Sequence, residues 1–170
     1  MEERTGIVSF KGAPLTLLGP DVGEGDLLPD FELTANDLSR VQAADLRGRA
    51  LLLNVVPSLD TSVCSAQTRR FNEELDSLPK SVEVLTISAD LPFAQARFAA
   101  VEKIRHRILS DYMELSFGNA LGLRIKELRL LSRSIFIVDP QGKITYREIV
   151  PELADHPAYL DALHAVRDVV

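Results

Sequence analysis

The sequence predicts an α/β protein, a central mixed sheet flanked by helices, and three observations carry that prediction. Apolar runs of strand length, Leu51–Val56, Val82–Ser88 and Ser134–Val138, recur along the chain. Between the first two lies a stretch whose apolar residues return every three or four positions, the period of a helix with one buried face. At 170 residues, 46% hydrophobic and 26% charged, the chain suits one domain with a full core, spanning 1–170.

Ile7–Phe10 and Leu15–Leu18 flank Lys11-Gly12-Ala13-Pro14, which predicts an N-terminal β-hairpin over about residues 7–18. Gly19–Pro29 reads as loop; its Gly23-Glu24-Gly25 lacks the spacing of a dinucleotide fingerprint, and its acidic residues would repel phosphate. Phe31–Thr34 is a short strand, and Asp37–Arg49 is polar with one helical turn ending at Gly48. Strand 51–56 leads into a helix over 62–78, with Phe71, Leu75 and Leu78 on its apolar stripe. Val82–Ser88 is a second strand. The next helix starts near Pro92, a favoured first-turn position, and runs to Val101. Glu102–Leu131 shows only short helical pieces around Gly118 and Gly122, and Lys103-Ile104-Arg105-His106-Arg107 reads as a solvated helix face. Ser134–Val138 and Lys143–Ile149 form a hairpin about Asp139-Pro140-Gln141-Gly142. Ala158–Val169 closes the chain as an amphipathic helix buried through Leu160, Leu163 and Val166 or Val169.

Strands alternating with helices imply parallel pairing through right-handed crossovers, with the last hairpin adding one antiparallel strand. That order is thioredoxin-like.

A net charge of −6 argues against a nucleic-acid partner, and no run reaches the ~18 apolar residues of a membrane span. Met1-Glu2-Glu3-Arg4 does not open a signal peptide, so a cytoplasmic protein is expected. His106, His156 and His164 show no i, i+4 pairing, and no cofactor or metal is expected. Neither a Ser-His-Asp constellation nor a phosphate loop stands out.

The chemistry centres on Cys64, the only cysteine, and therefore unable to form a disulfide within the chain. It falls on the stripe of Phe71, in the first turn of its helix, where unpaired N–H groups and the helix dipole favour negative charge. The thiolate is the nucleophilic form of cysteine. Taken alone, Cys64 suits a small buried apolar residue equally well.

Pro57, Thr61 and Cys64 fill the pattern Pro-x-x-x-Thr-x-x-Cys, which resembles the active-site motif of the peroxiredoxins. Pro57-Ser58-Leu59-Asp60-Thr61-Ser62-Val63-Cys64 and Ser88-Ala89-Asp90-Leu91-Pro92-Phe93-Ala94-Gln95 together resemble the thiol peroxidase branch, and the likeness runs from Phe10-Lys11-Gly12 to the last helix. The resemblance implies a peroxidatic Cys64 that forms a sulfenic acid on hydrogen peroxide or an alkyl hydroperoxide, with a lean toward the latter. It also implies thioredoxin or another thiol as reductant, and a homodimer. Thr61, one turn before Cys64, would bond thiolate and peroxide through its hydroxyl, although a threonine there also suits a helix cap. Pro57 would shape the loop and shield the sulfur. Arg133, in a segment Leu131-Ser132-Arg133-Ser134 that resembles the one carrying the family's arginine, would supply the cation. Arg69 and Arg70 read as a solvated face, and Asp60 is expected to point away.

One departure stands out. Thiol peroxidases typically carry a resolving cysteine on the helix after the Ser88–Gln95 block, and the matching position here is Ala99. The sulfenate must then be reduced by an outside thiol or another subunit. A peroxide sensor that relays its oxidation without turnover is the rival reading. A catalytically silent relative is the third, and Thr61, Cys64 and Arg133 argue against it.

Overall fold

The structure is a computed structural model describing residues 1–170. In chain order its elements are β1 (Glu3–Phe10), β2 (Ala13–Leu18), β3 (Glu32–Thr34), β4 (Arg40–Gln42), β5 (Ala50–Val55), α1 (Ser62–Glu73), β6 (Val82–Ser88), α2 (Pro92–Glu102), β7 (Arg107–Ser110), α3 (Ser116–Leu121), β8 (Arg124–Ile125), β9 (Ser134–Val138), β10 (Ile144–Ile149) and α4 (Tyr159–Arg167). Seven strands form the central sheet in the order β10-β9-β5-β6-β7-β3-β4, and β1, β2 and β8 form a smaller one. This is the thioredoxin-like mixed sheet with an N-terminal hairpin. The hairpin begins at Glu3 rather than Ile7, and its register shifts between Arg4 and Val8, where Gly6 takes a left-handed φ of 75°.

β5 lies inside the sheet between β9 and β6 with both of its faces covered, which is why it reads as an apolar run broken only by Asn54. Leu51, Leu53 and Val55 join Leu85, Ile87, Phe117 and Phe136 on one side. Leu52 joins Phe71 of α1, Ile135, and Leu163 and Val166 of α4 on the other. Each such side chain contributes about 1.5–3 kcal/mol on burial.

The directions of the strands correct one expectation. β5, β6 and β7 are parallel, but β9 runs antiparallel to β5, β10 antiparallel to β9, and β3 antiparallel to both β4 and β7. The connection from β7 to β9 is not one crossover helix: it passes through α3 and β8 before reaching the far side of β5, so β9 can enter from the opposite end. This reversal places the start of β9 beside the end of β5, with Ser134 opposite Val55.

Other differences are local. α1 ends at Glu73, followed by a 3₁₀ turn over Leu75–Ser77, because Leu78 precedes Pro79 and is extended (φ −91°, ψ 148°). The basic run at 103–107 is not a helix face. Lys103 closes α2 in the left-handed region, Arg107 opens β7, and His106 between them is buried. β4 falls inside the stretch read as polar with a helical turn, and that turn forms over Ala43–Leu46. Leu160 is 62% exposed; α4 buries Ala162, Leu163 and Val166 instead. No helix is long and apolar enough to cross a membrane.

Candidate active site

Cys64 is the third residue of α1, with Thr61 at the N-cap, so its sulfur lies in the first helical turn. It is a free thiol with no exposed surface. Val56, Leu59 and Ile108 pack around it, with Phe98, Ala99 and Ile104 behind. Ala99, the position of a resolving cysteine in the related pattern, thus borders the thiol's own cluster and carries only a methyl group.

The antiparallel entry of β9 delivers Arg133, the residue before it, to the same place. Arg133 is 2% exposed. Its Nη2 donates to Cys64 Sγ at 3.3 Å, its Nη1 to Gln67 Oε1 at 3.1 Å and its Nε to the Leu153 carbonyl at 2.9 Å. A buried charge needs a partner, yet Arg133 forms no ion pair with any carboxylate. Of the three groups it hydrogen-bonds, the Cys64 sulfur is the one able to carry a negative charge.

Gln67, one turn after Cys64, holds the guanidinium's other arm through a chain of buried amides and hydroxyls. Gln67 Nε2 donates to Asn54 Oδ1 (2.5 Å), and Asn54 Nδ2 donates to Thr86 Oγ1 (2.9 Å) and Thr68 Oγ1 (3.3 Å). Thr68 Oγ1 donates to the Cys64 carbonyl at 2.9 Å. With two hydroxyls receiving its N–H groups, Asn54 must present its oxygen to Gln67, and Gln67 must then present its own oxygen to Arg133. The chain ends where Thr86 Oγ1 meets His106 Nε2 at 2.7 Å; burial pushes the His106 pKa down to about 4, leaving the ring neutral at pH 7.

Tyr159 of α4 stands near enough to the pair to feel both charges. Burial raises its phenol pKa, Arg133 and Arg70 pull it back, and Cys64 adds to the rise. Its ring packs edge-on to Phe71, lies under the Arg70 guanidinium, and its hydroxyl meets His156 Nδ1 at 2.6 Å.

The loop before α1 forms the site's other wall. Pro57 is buried and Asp60 exposed. Thr61 is exposed; its Oγ1 donates to the Ser58 carbonyl at 3.0 Å rather than to the sulfur and accepts from no helix N–H, which leaves its lone pairs free. The Asp90 carboxylate accepts from Ser58 Oγ and from the Leu59 N–H. Of the two arginines on α1, Arg69 is exposed and pairs with Glu102, and Arg70 with Glu74.

Cys64 and Arg133 therefore meet, while Pro57 is buried in the loop before α1 and Thr61 caps the helix at the surface. Asn54, Gln67, Asp90 and Tyr159 were not anticipated. Two of them carried a signal: Asn54 is the one polar residue in the apolar run Leu51–Val56, and Gln67 lies three residues after Cys64, hence on its helix face. Asp90 lies in the Ser88–Gln95 block that carries the family resemblance, though nothing there assigned it a partner, and Tyr159 carried no signal, since its contacts depend on the fold.

The family model described as Redoxin matches residues 23–163. The chain is 49% identical over 164 residues to a thiol peroxidase of Bacillus subtilis, an alignment covering 96% of this chain and 98% of that one. Among solved structures, the crystal structure of a peroxiredoxin-like protein from Aquifex aeolicus superposes over 100% of both chains with a TM-score of 0.90 at 32% identity. A structure of a thiol peroxidase from Chromobacterium violaceum matches 99% of this chain and 98% of its own with a TM-score of 0.85; at 20% identity it speaks for the fold alone.

Proposed function

The chain belongs to the redoxin family, on its thiol peroxidase branch, and from that premise we propose that it reduces hydroperoxides at Cys64 and is restored by an outside thiol. The Cys64 thiolate attacks the terminal peroxide oxygen; the O–O bond breaks, the sulfur becomes a sulfenic acid, and the departing alkoxide or hydroxide takes up a proton. The observation that carries this reading is the buried Arg133 guanidinium with no carboxylate partner and one arm on the sulfur at 3.3 Å. It sets a positive charge beside the sulfur that stabilises charge moving onto the peroxide oxygens, in a site dry enough for that interaction to count. Thr61 Oγ1, its hydrogen given to Ser58, offers lone pairs to the O–H of an incoming peroxide. Pro57 walls the sulfur from water and, lacking an N–H, adds no competing donor.

With no second cysteine, the sulfenate passes to an external thiol, for which a thioredoxin-like protein is the proposed donor and the cytoplasm the proposed compartment. Hydrogen peroxide and alkyl hydroperoxides are the proposed substrates. The whole chain acts as one domain: the hairpin is tied to the rest where Leu17 pairs with Ile125 and Ser9 bonds the backbone of Pro151 and Leu153. A homodimer is also proposed, and Leu91, Phe93 and Val101, each exposed on α2 or at its start, supply apolar surface for a protein contact. The relatives' names are those of enzymes, so a sensor that stalls after one oxidation is not favoured.

The test is turnover with thioredoxin, its reductase and NADPH, using hydrogen peroxide and cumene hydroperoxide in turn. Peroxide-dependent NADPH oxidation that vanishes in Cys64→Ser is expected. Equal turnover in Cys64→Ser, or none with thioredoxin or a small dithiol, would overturn the proposal.

A further inference from the structure

Arg105, His106 and Arg107 do not form the helix face that their sequence suggests, and the peroxide chemistry does not use them. They lead into β7 and line a cleft of about 320 Å³ at the end of the sheet where β5, β6 and β7 begin, whereas Cys64 follows the end of β5. Arg49, just before β5, and Lys80, in the turn before β6, line the same cleft. Two carboxylates pair with these four cations: Glu83, within the cleft, and Asp76, which holds Arg105. A surplus of two positive charges thus gathers here on a chain whose net charge is −6.

Several of the cleft's donors have no protein acceptor. Lys80 pairs with no carboxylate. Arg49 and Arg107 share one: Arg49 Nη1 lies 2.5 Å from Glu83 Oε2, and Arg107 donates to Glu83 Oε1 from Nε at 2.9 Å and Nη2 at 2.6 Å. One carboxylate cannot neutralise two guanidiniums, and Arg107 Nη1 makes no hydrogen bond. His106, 9% exposed, adds a third donor. Thr86 Oγ1 receives an N–H from Asn54 and has no acceptor for its own hydrogen other than His106 Nε2, so the neutral ring carries its proton on Nδ1. That Nδ1 has no hydrogen-bond partner, although buried polar atoms are as a rule paired. The half-buried Leu75 and Val82 give the cleft an apolar wall beside these donors.

We propose that this cleft binds a phosphomonoester with an apolar body, its phosphoryl oxygens taken by Lys80, Arg107 and His106 and its body laid against Leu75 and Val82. Guanidinium forks and a lysine ammonium are the side chains that phosphate oxygens pair with best, and the dianion matches the surplus of two charges. A cleft with an apolar wall and a few convergent polar groups is the form that small-molecule sites take. Lying at the far end of the sheet, it is separate from the site at Cys64.

The test titrates the full chain with phenyl phosphate, and separately with inorganic phosphate, at pH 7 and constant ionic strength, following the imidazole NMR signals of its three histidines. The His106 signal, identified by its loss in His106→Gln, is expected to shift and saturate with a Kd of about 1 mM or less, while those of His156 and His164 stay in place. Lys80→Ala and Arg107→Gln, both at exposed positions on different elements so that either serves if the other folds poorly, should weaken binding about tenfold, the usual loss for one charge-assisted bond. Inorganic phosphate, which lacks the apolar body, should bind about fivefold more weakly than phenyl phosphate. A His106 signal that never saturates, or one that moves only as far as those of His156 and His164, would overturn the proposal. So would equal affinities for the two probes, or an affinity that both variants leave unchanged. No peroxide enters the titration, so its outcome is independent of the chemistry at Cys64.

Discussion

The two sides of the Cys64 sulfur are built differently. On the core side, Arg133, Gln67, Asn54, Thr68 and Thr86 are 0–2% exposed, sit on or at the edge of sheet and helix, and hand one hydrogen bond to the next. On the loop side, Asp60 and Thr61 are exposed, and the hydrogen bonds holding that wall to the rest of the fold converge on Asp90. The contrast separates two tasks. The charge that activates the sulfur is fixed by the core whatever the loop does, and access to the sulfur is left to a wall held at few points.

The comparison breaks most visibly at Arg133. Arg133→Ala removes the guanidinium and leaves Gln67 Oε1 and the Leu153 carbonyl without this donor, and the peroxide step should slow by about 10²–10³, the usual effect of losing a charge-stabilising donor. Stopped-flow loss of thiol reads this directly. Thr61→Val comes next: roughly tenfold slower with peroxide, or about 1.4 kcal/mol, with the urea midpoint unchanged because its hydroxyl bond is local and exposed. Gln67→Met sharpens the contrast from the core side. It frees one arm of Arg133 and should slow the peroxide step up to about tenfold while iodoacetamide alkylates Cys64 at the wild-type rate, since the loop's ties are untouched.

The smallest effect on activity comes from the far end of the chain of hydrogen bonds, where pH reveals it as stability. His106 has its pKa pushed by burial from 6.5 to about 4, so between those values the unfolded chain binds the proton that the folded one refuses. Stability from this group therefore falls as pH drops from about 6.5 to 4, by roughly 3 kcal/mol in all, and is level below. Asp111, pushed up to about 6 by burial against the pull of its bonds from the Phe117 and Gly118 N–H groups, opposes it across much of that window. His106→Gln should consequently gain stability relative to wild type as pH falls from 7 to 4.5, measured by urea unfolding at both values.

Much of this was legible in the chain, and the exceptions have physical causes. Strands β5, β6 and β9 and the start of α2 at Pro92 were plain because continuous burial writes a continuous apolar run and Pro92 marks a first turn. β7 was hidden: its four residues follow a basic run that, without neighbours, reads as helix surface, yet there the alternation of Arg105, His106 and Arg107 is exposed, buried, exposed. The reversal of β9 had no local signal, because direction is decided by where a long connection emerges. The motif residues Pro57, Thr61 and Cys64 were conspicuous, and Arg133 followed from its segment. The partners that hold them were not: Asp90 meets Ser58 from 32 residues away, and Thr86 meets His106 from 20 away, contacts that only the folded sheet creates.

The central claim is that a buried guanidinium without a carboxylate keeps Cys64 as a nucleophile for peroxide. It is tested most directly by mixing the reduced protein rapidly with one equivalent of hydrogen peroxide or cumene hydroperoxide, timing thiol loss, and locating a dimedone adduct by mass spectrometry. Fast, stoichiometric trapping at Cys64, slowed at least a hundredfold in Arg133→Ala, is the expected result. A wild-type rate no greater than that of a free thiol in solution, or one indifferent to Arg133, would contradict it.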